Sequence, residues 1–212
     1  MRKPISAVFA ALILVLAVAA VAAEPVRASQ RTANEAVMLQ LINHARAQRG
    51  LAPLHVHAAL SRAALAHSRD MMRHDYFSHV SPCGASCATR ARRAGYSMSG
   101  CRSWAVSEVI GWGRSCLGTP QAVFTSWMRS AYHRSIILGR RWRDVGVGCV
   151  SGTFQGASGP WMYTVDVGRP ATNRRSAIER SASPKGPVAG RTSVRAAPLC
   201  LPVRLTIRPA QG

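Results

Sequence analysis

An apolar segment at the N-terminus decides in which compartment this chain folds. Arg2 and Lys3 precede an apolar run over residues 5–23, which ends in small residues before Glu24, the order typical of a secretory signal peptide. We expect residues 1–23 to be cleaved and the mature protein, then without a transmembrane segment, to be secreted to the periplasm or the extracellular space. N-terminal membrane anchoring is the alternative, because the run approaches the roughly 20 apolar residues that span a bilayer.

Export changes the expected chemistry of the six cysteines, because thiols in an oxidising compartment pair into structural disulfides. Three bridges are possible, and spacing alone does not select among the pairings. Cys83 and Cys87 are close enough in sequence for a local loop bridge, and Cys200 could tie the C-terminal segment to the domain. A zinc half-site at Cys83-x-x-x-Cys87 is the alternative, although no second half with suitable spacing accompanies it.

The 212-residue chain is strongly basic, with 28 Lys plus Arg against 8 Asp plus Glu and a net charge of +20. Such a charge indicates either an anionic partner or a solvated basic surface that has no partner. We expect no specific nucleic acid, because no helix-turn-helix, RNA-binding or zinc-finger signature accompanies the charge. An anionic envelope polymer or lipid is the better candidate. The hydrophobic content of 48% excludes a mostly disordered chain.

Helical and strand patterns are interleaved in the middle of the chain. A capping box from Thr32 to Glu35 predicts that a helix begins there, and Thr119-Pro120 predicts the start of another. Apolar periodicity predicts further helices over about Ala58–His74 and Thr89–Ala94. Strands are predicted at Ala105–Trp112, Asp144–Val150 and Trp161–Val167, with a loop over Ser151–Pro160 joining the last two as a hairpin. This order favours an α+β layered domain.

Composition divides the chain into four regions. The signal peptide over residues 1–23 is followed by a short linker, 24–33, and by the folded domain, 34–169. From residue 170 to 212 the sequence is rich in Pro, Ser, Ala and Arg, which predicts a basic and largely disordered tail.

Five motifs follow one another in the predicted domain. They are Asn43-x-x-Arg46-x-x-x-Gly50-Leu51-x-Pro53-Leu54; His67-Ser68-x-Asp70-Met71 running on to Tyr76-Phe77-Ser78-His79 and Ser81-Pro82; Ser107-Glu108-Val109-Ile110; Trp127-x-x-Ser130-x-x-His133-Arg134-x-x-Ile137-Leu138; and Val145-Gly146-Val147-Gly148. Together they resemble the CAP superfamily, also called SCP, of cysteine-rich secretory, antigen 5 and pathogenesis-related proteins, and in particular its bacterial secreted members. The resemblance covers roughly Asn34 to Gly168.

The resemblance implies a three-layer α-β-α sandwich with an antiparallel central sheet and a central cleft. In many members the cleft holds two histidines and two acids that can bind a divalent metal. The matching positions here are His79, His133 and Glu108, and no Asp or Glu occurs between His79 and Glu108, where relatives place the second acid. Two imidazoles and one carboxylate would suit zinc.

We therefore expect a secreted CAP-domain protein of the bacterial envelope or exterior. It would act as a ligand-binding module for a small apolar or lipid ligand, with a His/Glu cleft able to hold a divalent metal, zinc being the candidate. One alternative is a metal-dependent hydrolase with His79, Glu108 and His133 as the catalytic candidates. A second alternative is binding of polyanions or anionic lipids through the basic surface.

Each candidate residue also has a purely structural interpretation. His79 could cap the preceding turn, Glu108 could pair with an arginine, and His133 could bond to backbone at the start of a helix. A further set, His67, Asp70 and His74, recurs at helical spacing. We expect Asp70 to pair with Arg73 or to cap a loop rather than to ligate a metal.

Overall fold

The computed structural model describes residues 29–96 and 104–170. A four-stranded sheet forms the centre of the domain, with strand order β1-β3-β4-β2. The strands are β1 (His55–Val56), β2 (Ala105–Gly113), β3 (Asp144–Phe154) and β4 (Ala157–Arg169). The three long strands pair antiparallel, as expected, whereas the two-residue β1 lies parallel to β3.

Five helices cover the sheet in the described ranges: α1 (29–47), α2 (Ala58–Arg73), α3 (Cys87–Arg93), α4 (Pro120–Arg129) and α5 (Ala131–Ile137). Three of the four predicted helices, α2, α3 and α4, are confirmed with shifts of at most two residues, and α5 was not predicted. Thr119 caps α4 as predicted, since its hydroxyl accepts from the Ala122 N–H at 3.2 Å. The capping box predicted at Thr32–Glu35 is wrong, because the chain is already helical at residue 29.

Glu35 has another partner instead of a cap. Its carboxylate accepts a hydrogen bond from the Cys149 N–H at 3.3 Å, which ties α1 to β3. Burial raises the pKa of Glu35 above its ordinary value, against the opposing effects of this hydrogen bond and of Arg31. Because the first helix already includes residue 29, residues 29–33, which were predicted as linker, belong to that helix.

The two helical layers meet the sheet through alternating residues of β3. A Cβ atom on Gly146 would lie 2.1 Å from the Leu60 carbonyl carbon, so the glycine lets the backbone of α2 approach one face. Val145 and Val147 point to the opposite face, where they form the main core with residues of α1, α4 and α5: Met38, Ile42, Val123, Trp127, Ile136 and Ile137. This arrangement is a three-layer α-β-α sandwich.

The β3–β4 hairpin is tighter than predicted. Its strands remain paired as far as Phe154 and Ala157, which leaves a two-residue turn at Gln155-Gly156. Both turn residues have positive φ, 50° and 74°, as a turn matched to the twist of the strands requires. The prediction of a long loop over Ser151–Pro160 is therefore wrong, because most of these residues belong to the two strands.

The cysteines of the described part, Cys83, Cys87, Cys116 and Cys149, are free thiols. The local Cys83–Cys87 bridge is therefore wrong: Cys83 is exposed in a loop, whereas Cys87 lies half-buried in the first turn of α3. Burial raises the pKa of Cys87 to about 12.

Three predictions fall on residues outside the described ranges: the signal peptide, the tail from residue 171 onward, and the anchoring role of Cys200. Within the described ranges, no helix has the length and apolar character needed to cross a membrane.

Candidate functional site

The three matched residues come from three different elements. His79 lies in the loop between α2 and α3, Glu108 on β2, and His133 in the first turn of α5. Ser130 caps α5 by accepting from the His133 N–H at 3.5 Å. Glu108 is 4% exposed and faces the layer formed by α2 and α3.

The carboxylate of Glu108 is enclosed by cationic and imidazole groups. Oε1 lies 2.8 Å from His79 Nδ1 and 3.8 Å from His67 Nε2. Oε2 accepts a hydrogen bond from Arg90 Nη2 at 2.6 Å. The structural interpretation of Glu108, pairing with an arginine, is therefore the one that the contacts display.

These partners keep Glu108 ionised in spite of its burial. Burial alone would raise its pKa, but the hydrogen bond from His79 and the charges of Arg90 and His67 outweigh that effect and lower it. Several partners thus compensate the buried charge of Glu108. Removal of either Glu108 or Arg90 would leave the other charge buried without compensation.

A second acid, Asp166, lies directly opposite Glu108 in the β2–β4 register. Its side chain is fully buried, neither carboxyl oxygen accepts a hydrogen bond from a donor group of the described residues, and a side-chain hydrogen bond with Glu108 favours its protonated form. Burial first, and then the charge of Glu108, raise the pKa of Asp166 well above its ordinary value. We therefore assign one negative charge to the two acids together, carried by Glu108.

His133 stands apart from this network. Its Nδ1 is buried and has no hydrogen-bond partner among the described residues, and no described contact joins it to Glu108. Burial, and to a smaller extent the charge of His79, lower the pKa of His133, so its ring is neutral at pH 7. The structure thus joins His79 to Glu108 directly, whereas the ring of His133 packs against Tyr132 with 5.6 Å between the ring centroids.

The observed donor set does not fit a divalent metal. Both oxygens of Glu108 are engaged by His79 and Arg90, and the guanidinium already supplies a positive charge there. Across residues 29–96 and 104–170, no three His, Cys, Asp or Glu side chains are grouped closely enough to hold a metal ion. Metal binding by His79, Glu108 and His133 stays a prediction.

Sequence reasoning missed two members of this network, Arg90 and Asp166, and it grouped a third, His67, with Asp70 and His74 instead. His67 is fully buried, with Nε2 2.9 Å from the Ser78 carbonyl, and burial lowers its pKa. For Asp166 the available signal was its position in a predicted strand of otherwise apolar residues. For Arg90 there was no signal, because three of the seven residues of α3 are arginines.

Of the two roles expected for Asp70, pairing with Arg73 is not observed in the described residues, whereas a role in holding the following loop is. Asp70 instead accepts a hydrogen bond from the Tyr76 hydroxyl at 2.5 Å and lies 2.9 Å from His74 Nδ1. Burial, the largest single effect, would raise the pKa of Asp70, but the hydrogen bond from Tyr76 and the proximity of His74 outweigh it and lower the pKa. Asp70 therefore stabilises the loop after α2 and is connected to the Glu108 network through Tyr76, whose hydroxyl also lies 3.5 Å from His67 Nδ1.

A groove of about 390 Å³ opens on the other side of β2. We call it the arginine groove; its lining includes Ser107, Ser135, Ile136, Arg140, Arg141 and Trp142. The Arg141 guanidinium lies 4.3 Å from the centroid of the Trp142 ring, a cation–π contact. Because Ser107 precedes Glu108 on the strand, the groove and the Glu108 network lie on opposite faces of the sheet.

Comparisons with known proteins agree with this architecture. Residues 39–167 match the family model described as "CAP: Cysteine-rich secretory protein family". A protein of Bacillus subtilis (strain 168), "Uncharacterized protein YkwD", is 34% identical over 122 residues, which are 58% of this chain and 44% of that protein. The chain thus spans less than half the length of this curated relative.

Two solved structures share the fold. An extracellular protein containing a SCP domain from Bacillus anthracis str. Ames has a TM-score of 0.54 at 24% identity, covering 66% of this chain and 41% of the other. An outer surface protein from Borrelia burgdorferi also has a TM-score of 0.54, at 14% identity, covering 65% of this chain and 92% of the other. The three-layer sandwich, the sequence motifs and the match to the family model agree with one another. The chain belongs to the CAP, or cysteine-rich secretory protein, family.

Proposed function

We propose that this protein is a CAP-domain binding module of the bacterial exterior, and that its ligand is a small amphiphile with an acidic headgroup. The observation that carries the proposal is the arginine groove. The exterior location is supported by the N-terminal apolar run and by two relatives of the same fold, one described as extracellular and one as an outer surface protein.

The lining of the arginine groove matches such a ligand in size and in chemistry. A volume of about 390 Å³ lies within the range of roughly 300 to 1,000 Å³ typical of small-molecule sites. Ile136 and Trp142 are 8% and 2% exposed and supply an apolar floor. Ser107 and Ser135 add hydroxyl groups beside it.

The charge of the groove selects an anion. Arg140 and Arg141 are exposed at its rim, and the lining contains no acidic residue. A guanidinium presents a planar fork of donors that matches a carboxylate or a phosphate. An apolar chain on the floor with an acidic group at the rim would satisfy both halves of the lining.

A metal-dependent hydrolase finds less support. Such an enzyme would need open metal ligands and a free general base. Glu108 is engaged by Arg90 and His79, and Asp166 is held protonated by its burial. We therefore assign the His79–Glu108 network a structural role in this protein.

The test compares ligands that differ only in their headgroup. Decanoate and decyl phosphate are titrated into the protein by calorimetry, with decanol as the uncharged control. We expect the two acids to bind at least about tenfold more tightly than decanol, since a charge-assisted hydrogen bond is worth about 1.5 kcal/mol or more. Equal affinity for decanol would contradict an anion-selective groove.

Matched variants separate the groove from the general basic charge. Arg140→Gln/Arg141→Gln should weaken decanoate binding at least about tenfold. Arg92→Gln/Arg93→Gln removes the same charge from exposed positions of α3 and should leave the affinity within about twofold. If both double variants lose affinity equally and binding falls steeply with salt, the basic surface as a whole binds the anion, and the groove assignment is overturned.

A further inference from the structure

We propose that the guanidinium of Arg90 occupies the position beside Glu108 that a bound metal ion would take, and that it thereby excludes divalent metals from this site of the CAP domain. A variant without this guanidinium would admit them. The inference is independent of the arginine groove. It concerns the layer between the sheet and helices α2 and α3, where the family resemblance implies a metal but the contacts place an arginine.

The guanidinium of Arg90 is held by four hydrogen-bond acceptors. Nη2 donates to Glu108 Oε2 at 2.6 Å and to the His79 carbonyl at 3.0 Å. Nη1 donates to the Ala85 carbonyl at 2.6 Å and to Ser81 Oγ at 3.3 Å. The side chain is only 9% exposed, so the cation is fixed from four directions and belongs to the interior.

The position of Arg90 blocks a metal in two ways. Its guanidinium occupies the space next to Oε2 in which a metal bound to Glu108 would have to lie. It also repels any further cation, because a buried positive charge is poorly screened by solvent. The other oxygen, Oε1, lies 2.8 Å from His79 Nδ1, so each oxygen already has one hydrogen-bond donor, and a metal would have to share the carboxylate with both donors.

Removing the guanidinium would leave acidic and imidazole side chains without a cation, and three of them would have to draw closer together to hold a metal, since as they stand no three are grouped closely enough in the described residues. Glu108 and His79 would remain within 2.8 Å of each other, with the carboxyl group of Asp166 opposite Glu108 in the sheet and His67 Nε2 3.8 Å from Oε1. Imidazole nitrogens with carboxylate oxygens are ligands that zinc accepts. The positive charge that the buried carboxylate requires would then have to come from outside the chain.

The experiment is a zinc titration of the full chain by calorimetry, with the wild type compared with His79→Ala, Arg90→Gln, Arg90→Lys and Arg90→Gln/His79→Ala. We expect no saturable binding at His79 in the wild type and a gain of at least about tenfold in affinity in Arg90→Gln. Arg90→Lys keeps the positive charge and should not gain binding. Arg90→Gln/His79→Ala should lose the gain.

Two results would overturn the proposal. One is tight zinc binding by the wild type that His79→Ala abolishes. The other is a folded Arg90→Gln variant that binds zinc no better than the wild type.

A variant that fails to fold without metal remains informative. Since a ligand that binds only the folded state stabilises it, zinc should restore the circular dichroism spectrum and raise the melting temperature of Arg90→Gln. It should do neither for Arg90→Gln/His79→Ala. Failure of zinc to refold Arg90→Gln would also refute the inference.

Discussion

Glu108 on β2 and Asp166 on β4 lie directly opposite each other in the sheet, and both carboxyl groups are buried. One guanidinium, that of Arg90, contacts the pair through Glu108. Because two buried carboxylates side by side repel each other, only one of them is ionised. The charge belongs to Glu108, which has the cationic and imidazole partners, and the proton belongs to Asp166, which has none.

This division of charge predicts opposite effects for two similar substitutions. Glu108→Gln leaves the buried Arg90 guanidinium without its anion and should lower the free energy of unfolding by about 3 kcal/mol. Asp166→Asn replaces a protonated acid by a neutral amide of the same shape and should be neutral or stabilising at pH 7. Urea unfolding of the two variants and the wild type measures both effects. A loss of stability in Asp166→Asn as large as that in Glu108→Gln would mean that the charge lies on Asp166.

The two acids should also impose opposite pH dependences on stability. The folded protein holds the Asp166 proton more tightly than the unfolded chain, whose Asp pKa is near 3.8. The contribution of Asp166 is therefore fully present below that pH and declines as the pH rises above it. Asp166→Asn lacks this decline, so its stability relative to the wild type should increase with pH.

Glu108 contributes with the reverse sign, because its folded pKa is lowered below the ordinary 4.5. Its contribution is present above that value and is lost as the pH falls through the folded pKa. Urea unfolding of the wild type, Asp166→Asn and Glu108→Gln from about pH 3 to pH 8 resolves the two slopes. Parallel curves for the wild type and Asp166→Asn would show that Asp166 titrates normally.

The approach of α2 to the sheet predicts a severe effect at Gly148. A Cβ atom there would lie 2.1 Å from the Leu65 backbone nitrogen, and a helix backbone cannot move aside as a side chain can. Gly148→Ala should therefore cost about 3 kcal/mol of stability.

Gly152→Ala is the matched control on the same strand. Its nearest contact would be Cγ of the flexible Met72 side chain at 2.9 Å, so the cost should be clearly smaller. Thermal unfolding of both variants measures the difference. Equal melting temperatures would mean that close packing of α2 on β3 does not limit this position.

Local patterns predicted much of the secondary structure. Helix α2 and the Thr119 cap of α4 follow from side-chain periodicity and cap chemistry within a few neighbouring residues, and so do the central parts of the long strands. The family resemblance predicted one cleft for His79, Glu108 and His133; the structure places His79 Nδ1 2.8 Å from Glu108 and shows no described contact between His133 and Glu108. The capping box at Thr32–Glu35 failed because the helix already includes residue 29, and Glu35 instead accepts a hydrogen bond from Cys149, a residue 114 positions away.

Only the tertiary structure decided the electrostatics of the site. Arg90 is one of several arginines in α3, and its contact with Glu108 depends on how that helix packs against β2. Asp166 reaches Glu108 through a strand register that spans 58 positions. The sequence by itself determined the family, the main helices and strands, and two residues of the network. The fold decided which arginine supplies the cation and which acid keeps its proton, because burial and charge proximity exist only once distant segments have packed together.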